Sequence, residues 1–203
     1  MFIELTSFAL GFALALGLIL PLGQQNMFVL TYGTRSGKFS STIPVFVTAS
    51  FCDTLLILLS AFGLSLLFMK TYWLAQTIRF VGVLFLLYIG IQNWRENFGQ
   101  AHVEKRHYSI KKRIFMTASM SILNPHAIVD TMAIIGANYL AIPSVGRKYF
   151  IFACVFVSWA WFLCLSILGI HLSKFKLVLK YQGKISAVIM WLCAMYLGYQ
   201  LVR

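Results

Sequence analysis

Long apolar runs recur along the whole chain, and they constrain its fold more than any other feature. Of its 203 residues, 60% are hydrophobic and only 11% are charged, whereas soluble domains carry roughly 25% charged residues. A helix needs about 20 apolar residues to cross the hydrocarbon core of a bilayer. Runs of this kind, too long and too unalternating for barrel strands, occupy residues 4–30, 43–69, 74–94, 114–140, 148–171 and 185–202. The sequence therefore predicts an all-α membrane protein with six transmembrane helices.

The first apolar run is predicted to stay in the protein as a span. No Lys or Arg precedes it, and Glu4 stands where a cleaved signal peptide has its basic region. The cysteines all fall inside apolar runs without a C-x-x-C pair, at Cys52, Cys154, Cys164 and Cys193. Buried cysteines of this kind behave as small hydrophobes. No disulfide, metal site or cofactor is therefore predicted.

The basic residues predict how the spans are oriented. Twelve of the 17 Lys and Arg residues lie in the loops 31–42, 95–113 and 172–184. Because Lys and Arg concentrate in short cytoplasmic loops, we expect these loops in the cytoplasm and both termini outside. The same distribution explains the net charge of +12 as an interfacial feature. No nucleic-acid partner is predicted.

The two halves of the chain resemble each other. Three matches occur in the same order with offsets of 104, 106 and 108 residues: Pro21 with Pro125, Gly63 with Gly169, and LYIGIQ at 87–92 with MYLGYQ at 195–200. We predict two three-helix repeats, 1–94 and 114–203, joined by the basic cytoplasmic linker 95–113. Because each repeat has three spans, the second is inverted relative to the first. Inverted repeats with broken helices are typical of transporters.

Prolines interrupt spans one and four near the middle of the bilayer. Pro21 lies in PLGQQN and Pro125 in LNPHAIVD. A proline inside a helix costs about 3 kcal/mol or more, and freed backbone groups are tolerated in a membrane only where they line protein or a water-filled cavity. We therefore predict two helix breaks, at Pro21 with Gly23 and at Pro125. The polar side chains beside them are candidate substrate ligands: Gln24, Gln25, Asn26, Asn124 and His126.

His126 is open to two interpretations. Its unperturbed pKa lies near neutrality, so the side chain suits a proton relay or a hydrogen bond to a substrate carboxylate. Equally, it suits a cap on the backbone carbonyls that Pro125 frees. The sequence does not choose between these roles.

Two of the five acidic residues, Asp53 and Asp130, lie within apolar spans. Each costs roughly 2.5–3.5 kcal/mol at a helix centre, and no Lys or Arg lies deep enough to neutralise it. We therefore expect the missing cation to be the substrate or a proton. If the two carboxyl groups are close together, at least one holds a proton, because like charges repel strongly in a low dielectric. The alternative is a protonated aspartate that bonds to neighbouring helices.

Three motifs together resemble the LysE-type amino-acid exporter superfamily, and most closely its lysine/arginine exporter branch. They are PLGQQN, CDTLLI in span two and ILNPHAIVDT in span four, and the resemblance covers nearly the full chain. It implies export of L-amino acids across the bacterial inner membrane, driven by the electrochemical gradient. It also points to Asp53, Asp130 and the segments Pro21–Asn26 and Asn124–His126 as the substrate region. The chain departs from the family pattern at Gln24, where a second proline is common.

The leading hypothesis is a non-enzymatic exporter of arginine and/or lysine that works by proton antiport and alternating access. Its partners are then the amino acid, protons and the lipid bilayer, with a homo-oligomer left open. Export of a neutral amino acid such as threonine or homoserine is the alternative. Divalent-cation efflux is less favoured because Cys and His ligand clusters are missing, and an intramembrane protease because no glycine adjoins the aspartates. A scaffold would not need two acids in the spans.

Overall fold

A computed structural model describes residues 2–20, 23–61, 72–95, 109–124, 127–128 and 131–202. This part of the chain is helical and contains no strand. Its elements are α1 (Phe2–Ile19), α2 (Gln24–Ser36), α3 (Phe39–Ala61), α4 (Tyr72–Arg95), α5 (Ile110–Ile122), a π-helical turn (Thr131–Ile135), α6 (Gly136–Ala141), α7 (Ser144–Leu172) and α8 (Lys176–Val202). The predicted all-α class is confirmed for the described residues.

Three of these helices are long and apolar enough to cross a membrane. They are α1, α3 and α7, with 18, 23 and 29 residues. Helix α8 contains a shorter apolar stretch, Lys184–Met195. The described residues thus contain three helices that suit a membrane span by length and composition, and the arrangement of six spans as inverted repeats stays a prediction.

The predicted first span is divided into two helices. Helix α1 ends at Ile19, and α2 begins at Gln24 after the extended N-cap residue Gly23. The interruption thus falls within the PLGQQN motif. Pro21, to which the sequence analysis attributed it, lies outside the described residues. Helix α2 ends at Ser36 and is capped by Gly37, whose φ of +59° favours glycine.

The predicted fourth span is likewise divided. Helix α5 ends at Ile122, and helical structure resumes at residues 127–128 and in the π-helical turn that precedes α6. Such π-turns occur mostly as local insertions inside α-helices, often at functional sites. Pro125, the predicted cause of the break, lies outside the described residues.

Helix α7 is the centre of the bundle. It packs against α1, α2 and α3, while α3 also packs against α5 and the π-helical turn. Helix α4 packs mainly along α8, which also contacts α2. We use the term basic end for the end of the bundle where α2 joins α3 and α7 joins α8, which carries Arg35, Arg95, Arg113 and Lys174.

Candidate functional site

Asp53 lies where α2, α3 and α7 meet, and its two carboxylate oxygens accept hydrogen bonds from two different helices. Gln25 on α2 donates from Nε2 to Oδ1 at 3.4 Å, and Ser158 on α7 donates from Oγ to Oδ2 at 3.1 Å. Gln25 and Ser158 are buried, and Asp53 is half-buried. The carboxylate is therefore held from both sides.

The hydrogen-bond partners of Asp53 are neutral. Among the described residues no Lys or Arg side chain pairs with this carboxylate, whose polar contacts are Gln25 and Ser158. Neutral donors hold a carboxyl group in place but add no positive charge beside it. Removing an unpaired charge from water is costly. The arrangement is therefore suited to receive a cation or a proton.

Two of the predicted ligand amides bond to backbone carbonyls at the helix breaks. Asn26 donates from Nδ2 to the Ile19 carbonyl at 2.7 Å and so ties the start of α2 to the end of α1. Gln24 donates from Nε2 to the Met120 carbonyl in the last turn of α5 at 3.4 Å. These bonds satisfy acceptors at helix ends. The Oε1 atom of Gln24 is buried without a partner among the described residues, so it remains available as an acceptor.

Asn124 caps the helical segment that follows it. Its Oδ1 accepts a hydrogen bond from the Ala127 N–H at 3.3 Å, and its backbone carbonyl accepts one from the Ile128 N–H at 3.2 Å. This geometry is that of an asparagine N-cap. Asn124, which was predicted to be a substrate ligand, therefore also stabilises the start of this helical segment.

The structure brings together only part of the predicted site. Asp53 and Gln25 are in contact, and Gly23 is the N-cap of α2. His126 and Asp130 lie outside the described residues, so their predicted roles stay predictions. Sequence reasoning missed Ser158. A signal for it existed, because Ser158 lies 105 residues after Asp53, between the repeat offsets of 104 and 106 that the prolines and glycines define.

Two apolar clusters flank Asp53 along the bundle. On α3, Ala49 belongs to a cluster toward the basic end and Ile57 to a cluster toward the opposite end. Ser158 on α7 likewise lies between Phe162 of the first cluster and Cys154 of the second. We call these the basic-end cluster, which includes Val29, Val45, Ala49, Leu86, Met120, Phe162 and Met190, and the opposite cluster, which includes Ala15, Ile57, Ile135, Ile142, Phe150, Cys154 and Val157. A polar site thus lies between two apolar layers.

Buried polar contacts close the basic end beyond its apolar cluster. Arg35 donates from Nη2 to Asn93 Oδ1 at 2.7 Å, and Asn93 donates from Nδ2 to Ser186 Oγ at 3.2 Å. These bonds connect α2, α4 and α8. On another side of the bundle, Arg113 on α5 donates to the Ser41 carbonyl at 3.2 Å.

Helices long and apolar enough to cross a membrane, together with a carboxyl group that bonds between helices and has no Lys or Arg partner among the described residues, indicate a multi-pass membrane protein with a polar interior site, as is typical of transporters. The chain matches the family described as LysE type translocator over residues 16–201. The chain therefore belongs to the LysE type translocator family, which confirms the resemblance found in the sequence.

Individual relatives cover nearly the whole chain. It is 36% identical to a Bacillus subtilis (strain 168) protein named amino-acid transporter YisU, over 98% of this chain and 92% of the relative. It is 31% identical to the arginine exporter protein ArgO of Salmonella paratyphi A and of Klebsiella pneumoniae (strain 342), over 93% of this chain and 91% of each relative. No solved structure matches the chain.

Proposed function

We propose that this protein exports basic L-amino acids, arginine and/or lysine, across the bacterial inner membrane by proton-coupled antiport. The observation that carries the proposal is the Asp53 carboxylate, which only Gln25 and Ser158 contact among its described polar neighbours. A guanidinium or ammonium group supplies the missing positive charge. The relatives named amino-acid transporter and arginine exporter support the substrate class.

Proton antiport solves an electrical problem of exporting a cation. Moving one positive charge outward against an inside-negative membrane potential costs about 2.3 kcal/mol per 100 mV. A proton that moves inward cancels this cost. A carboxylate that binds either the substrate cation or a proton couples the two movements, because it cannot hold both. We assign this exchange to Asp53, and propose Asp130 as the second acid.

The remaining polar groups are proposed to hold the amino-acid backbone of the substrate. The Oε1 atom of Gln24, which has no partner among the described residues, is an acceptor suited to an α-ammonium group, while amide and backbone donors at the breaks suit an α-carboxylate. Asn26, Asn124 and His126 complete this region in the proposal. The contacts of Asn26 and Asn124 with the backbone give these two a supporting role, in which they shape the breaks around the substrate.

Alternating access is proposed to come from two inverted repeats, 1–94 and 114–203, that move relative to each other around this site. The packing pattern supports this division, since α1 packs on α7 in repeat two much as α5 and the π-helical turn pack on α3 in repeat one. The two apolar clusters are then the gates on either side of Asp53. In the proposed orientation, with both termini outside, the basic end faces the cytoplasm.

Transport by the purified full-length protein in proteoliposomes tests the proposal. We expect preloaded labelled arginine or lysine to leave the vesicles faster when the external medium is acidified, and a protonophore to abolish the acceleration. Labelled threonine and homoserine serve as neutral controls and are expected to stay inside. Export of the neutral amino acids but not of the basic ones refutes the proposed specificity, and export that ignores the proton gradient refutes antiport.

A further inference from the structure

The hydroxyl group of Ser158 donates its hydrogen bond to another helix, whereas several other hydroxyl groups on the helices of this protein donate within their own helix. Thr34, Thr48, Thr54, Ser60 and Thr117 each donate to the carbonyl four residues earlier in their own helix. This is the usual local bond of a helical Ser or Thr. Ser158 instead donates across to Asp53 Oδ2 at 3.1 Å and is 2% exposed. Its hydroxyl is thus directed at the carboxylate rather than at its own helix.

The contact between Asp53 and Ser158 lies at the crossing of α3 and α7. One residue further along each helix, Trp159 donates from Nε1 to Thr54 Oγ1, also at 3.1 Å. Both pairs are separated by 105 residues. Two successive bonds between matched positions fix how the helices cross, and only one of them involves the carboxylate.

We infer that Ser158 is a positioning residue for substrate binding, which orients the Asp53 carboxylate toward the cationic end of the amino acid. Ser158 contacts Oδ2 while Gln25 contacts Oδ1, so the two donors together fix the plane of the carboxyl group. This inference rests on the proposed function and extends it to a residue on the opposite repeat.

The chemistry of serine suits both stages of a proton-for-cation exchange. A hydroxyl group is a donor and an acceptor, whereas the side-chain nitrogen of Gln25 only donates. Ser158 can therefore donate to the ionised carboxylate and, after rotation of its O–H bond, accept from the protonated one. It keeps Asp53 in one position in both states.

The test removes the Ser158–Asp53 bond and the Trp159–Thr54 bond separately and compares the KM and kcat of arginine transport in proteoliposomes. Ser158→Ala removes the bond to the carboxylate, and we expect KM to rise about tenfold, as for loss of a hydrogen bond to a charged group, with kcat within about twofold. Trp159→Phe removes the neighbouring bond, and we expect KM to stay within about twofold of the wild-type value. Ser158→Thr keeps the hydroxyl, and we expect it to retain most of the affinity.

Two outcomes overturn the inference while the wild-type protein exports arginine or lysine. One is an unchanged KM in Ser158→Ala, and the other is an equal rise in Trp159→Phe, which assigns the effect to helix packing. If Ser158→Ala does not fold, Ser158→Cys replaces it, because cysteine keeps the volume and is only a weak donor. A wild-type protein that exports neither basic amino acid refutes the proposed function itself.

Discussion

Gly33 on α2 and Gly169 on α7 bring the backbones of their helices into contact. A methyl group on Gly169 would lie 2.5 Å from the Leu30 carbonyl oxygen, and one on Gly33 would lie 2.9 Å from the Ser166 carbonyl oxygen. Helices approach this closely only where small residues leave room. Because α2 and α7 carry Gln25 and Ser158, this contact also holds the two donors of Asp53 at their present separation.

We expect Gly169→Ala to destabilise the protein because backbone atoms, which cannot move aside as a side chain can, occupy the space of the new methyl group. Overpacking of this kind costs typically about 1–3 kcal/mol. The midpoint of thermal unfolding in detergent should fall by roughly 2–4 °C for each kcal/mol. Gly198→Ala is the matched control, since, apart from the adjoining backbone of its own helix, no atom of the described residues lies within 4 Å of its added methyl group. Equal stability of the two variants would contradict the close approach of α2 and α7.

We expect Asp53→Asn to abolish export of basic amino acids without lowering stability. The substitution keeps the size of the side chain and removes the charge that is proposed to bind the substrate. A buried cation without its counter-charge costs roughly 2.5–3.5 kcal/mol, which corresponds to a loss of about 100-fold in export. Stability is expected to stay the same or rise, because the buried charge is expensive when the site is empty.

The control for this experiment is Glu4→Gln, which removes an acid in the first turn of α1, away from the site. Its arginine efflux is expected to equal that of the wild-type protein. Efflux assays and thermal unfolding are measured on the same preparations. Full export by Asp53→Asn would remove the basis of the proposed exchange.

Substitutions of the adjacent residues Gln25 and Asn26 on α2 are expected to affect substrate affinity and stability differently. Asn26→Leu leaves the Ile19 carbonyl without the 2.7 Å bond from Nδ2, and an unsatisfied buried acceptor costs about 1–3 kcal/mol. Gln25→Met is nearly isosteric and removes a donor to Asp53. We therefore expect Asn26→Leu mainly to lower the unfolding midpoint and Gln25→Met mainly to raise the KM for arginine. The reverse pattern would show that Asn26, rather than Gln25, acts on the substrate.

Much of the fold follows from the lengths of apolar runs. A segment that must satisfy its backbone in lipid is a helix or part of a closed barrel, so α7 and the start of α3 could be placed within a few residues. The predicted end of the second span, at residue 69, lies outside the described residues. An interruption of the first span was predicted from PLGQQN, but the bonds of Gln24 and Asn26 to backbone carbonyls of other helices were not. The π-helical turn Thr131–Ile135 could not be predicted, since no residue preference marks a single insertion in a hydrogen-bond ladder.

Site residues of a type that is rare in membrane helices could be predicted from the sequence, whereas those of a common type could not. Asp53 stands out because an acid in an apolar run is expensive. Serine is frequent in membrane helices, so Ser158 carries no signal by itself, and its contact with Asp53 joins residues 105 positions apart. Only the repeat offset connects the two. The backbone contacts of Asn26 and Asn124 depend on where each helix ends, which proline spacing indicates only approximately.

The proposed orientation of the spans can be tested with two single cysteines in a chain whose four native cysteines are replaced by serine. Ser109 immediately precedes α5, Ser144 is the first residue of α7, and both are exposed. We expect a membrane-impermeant maleimide to label Ser144→Cys in intact cells and Ser109→Cys only after permeabilisation. The two positions lie on opposite sides only if the chain crosses the membrane an odd number of times between them.

Each cysteine is the control for the other, and each alternative labelling pattern has a different meaning. Labelling of Ser109→Cys alone in intact cells would invert the orientation, so that the basic end and its Arg35–Asn93 contact would face outward and the proposed direction of substrate loading would be wrong. Labelling of both on one side would mean that residues 110–143 do not form a span. The proposed second repeat would then lack its first span, and the proposal of two inverted repeats would be wrong.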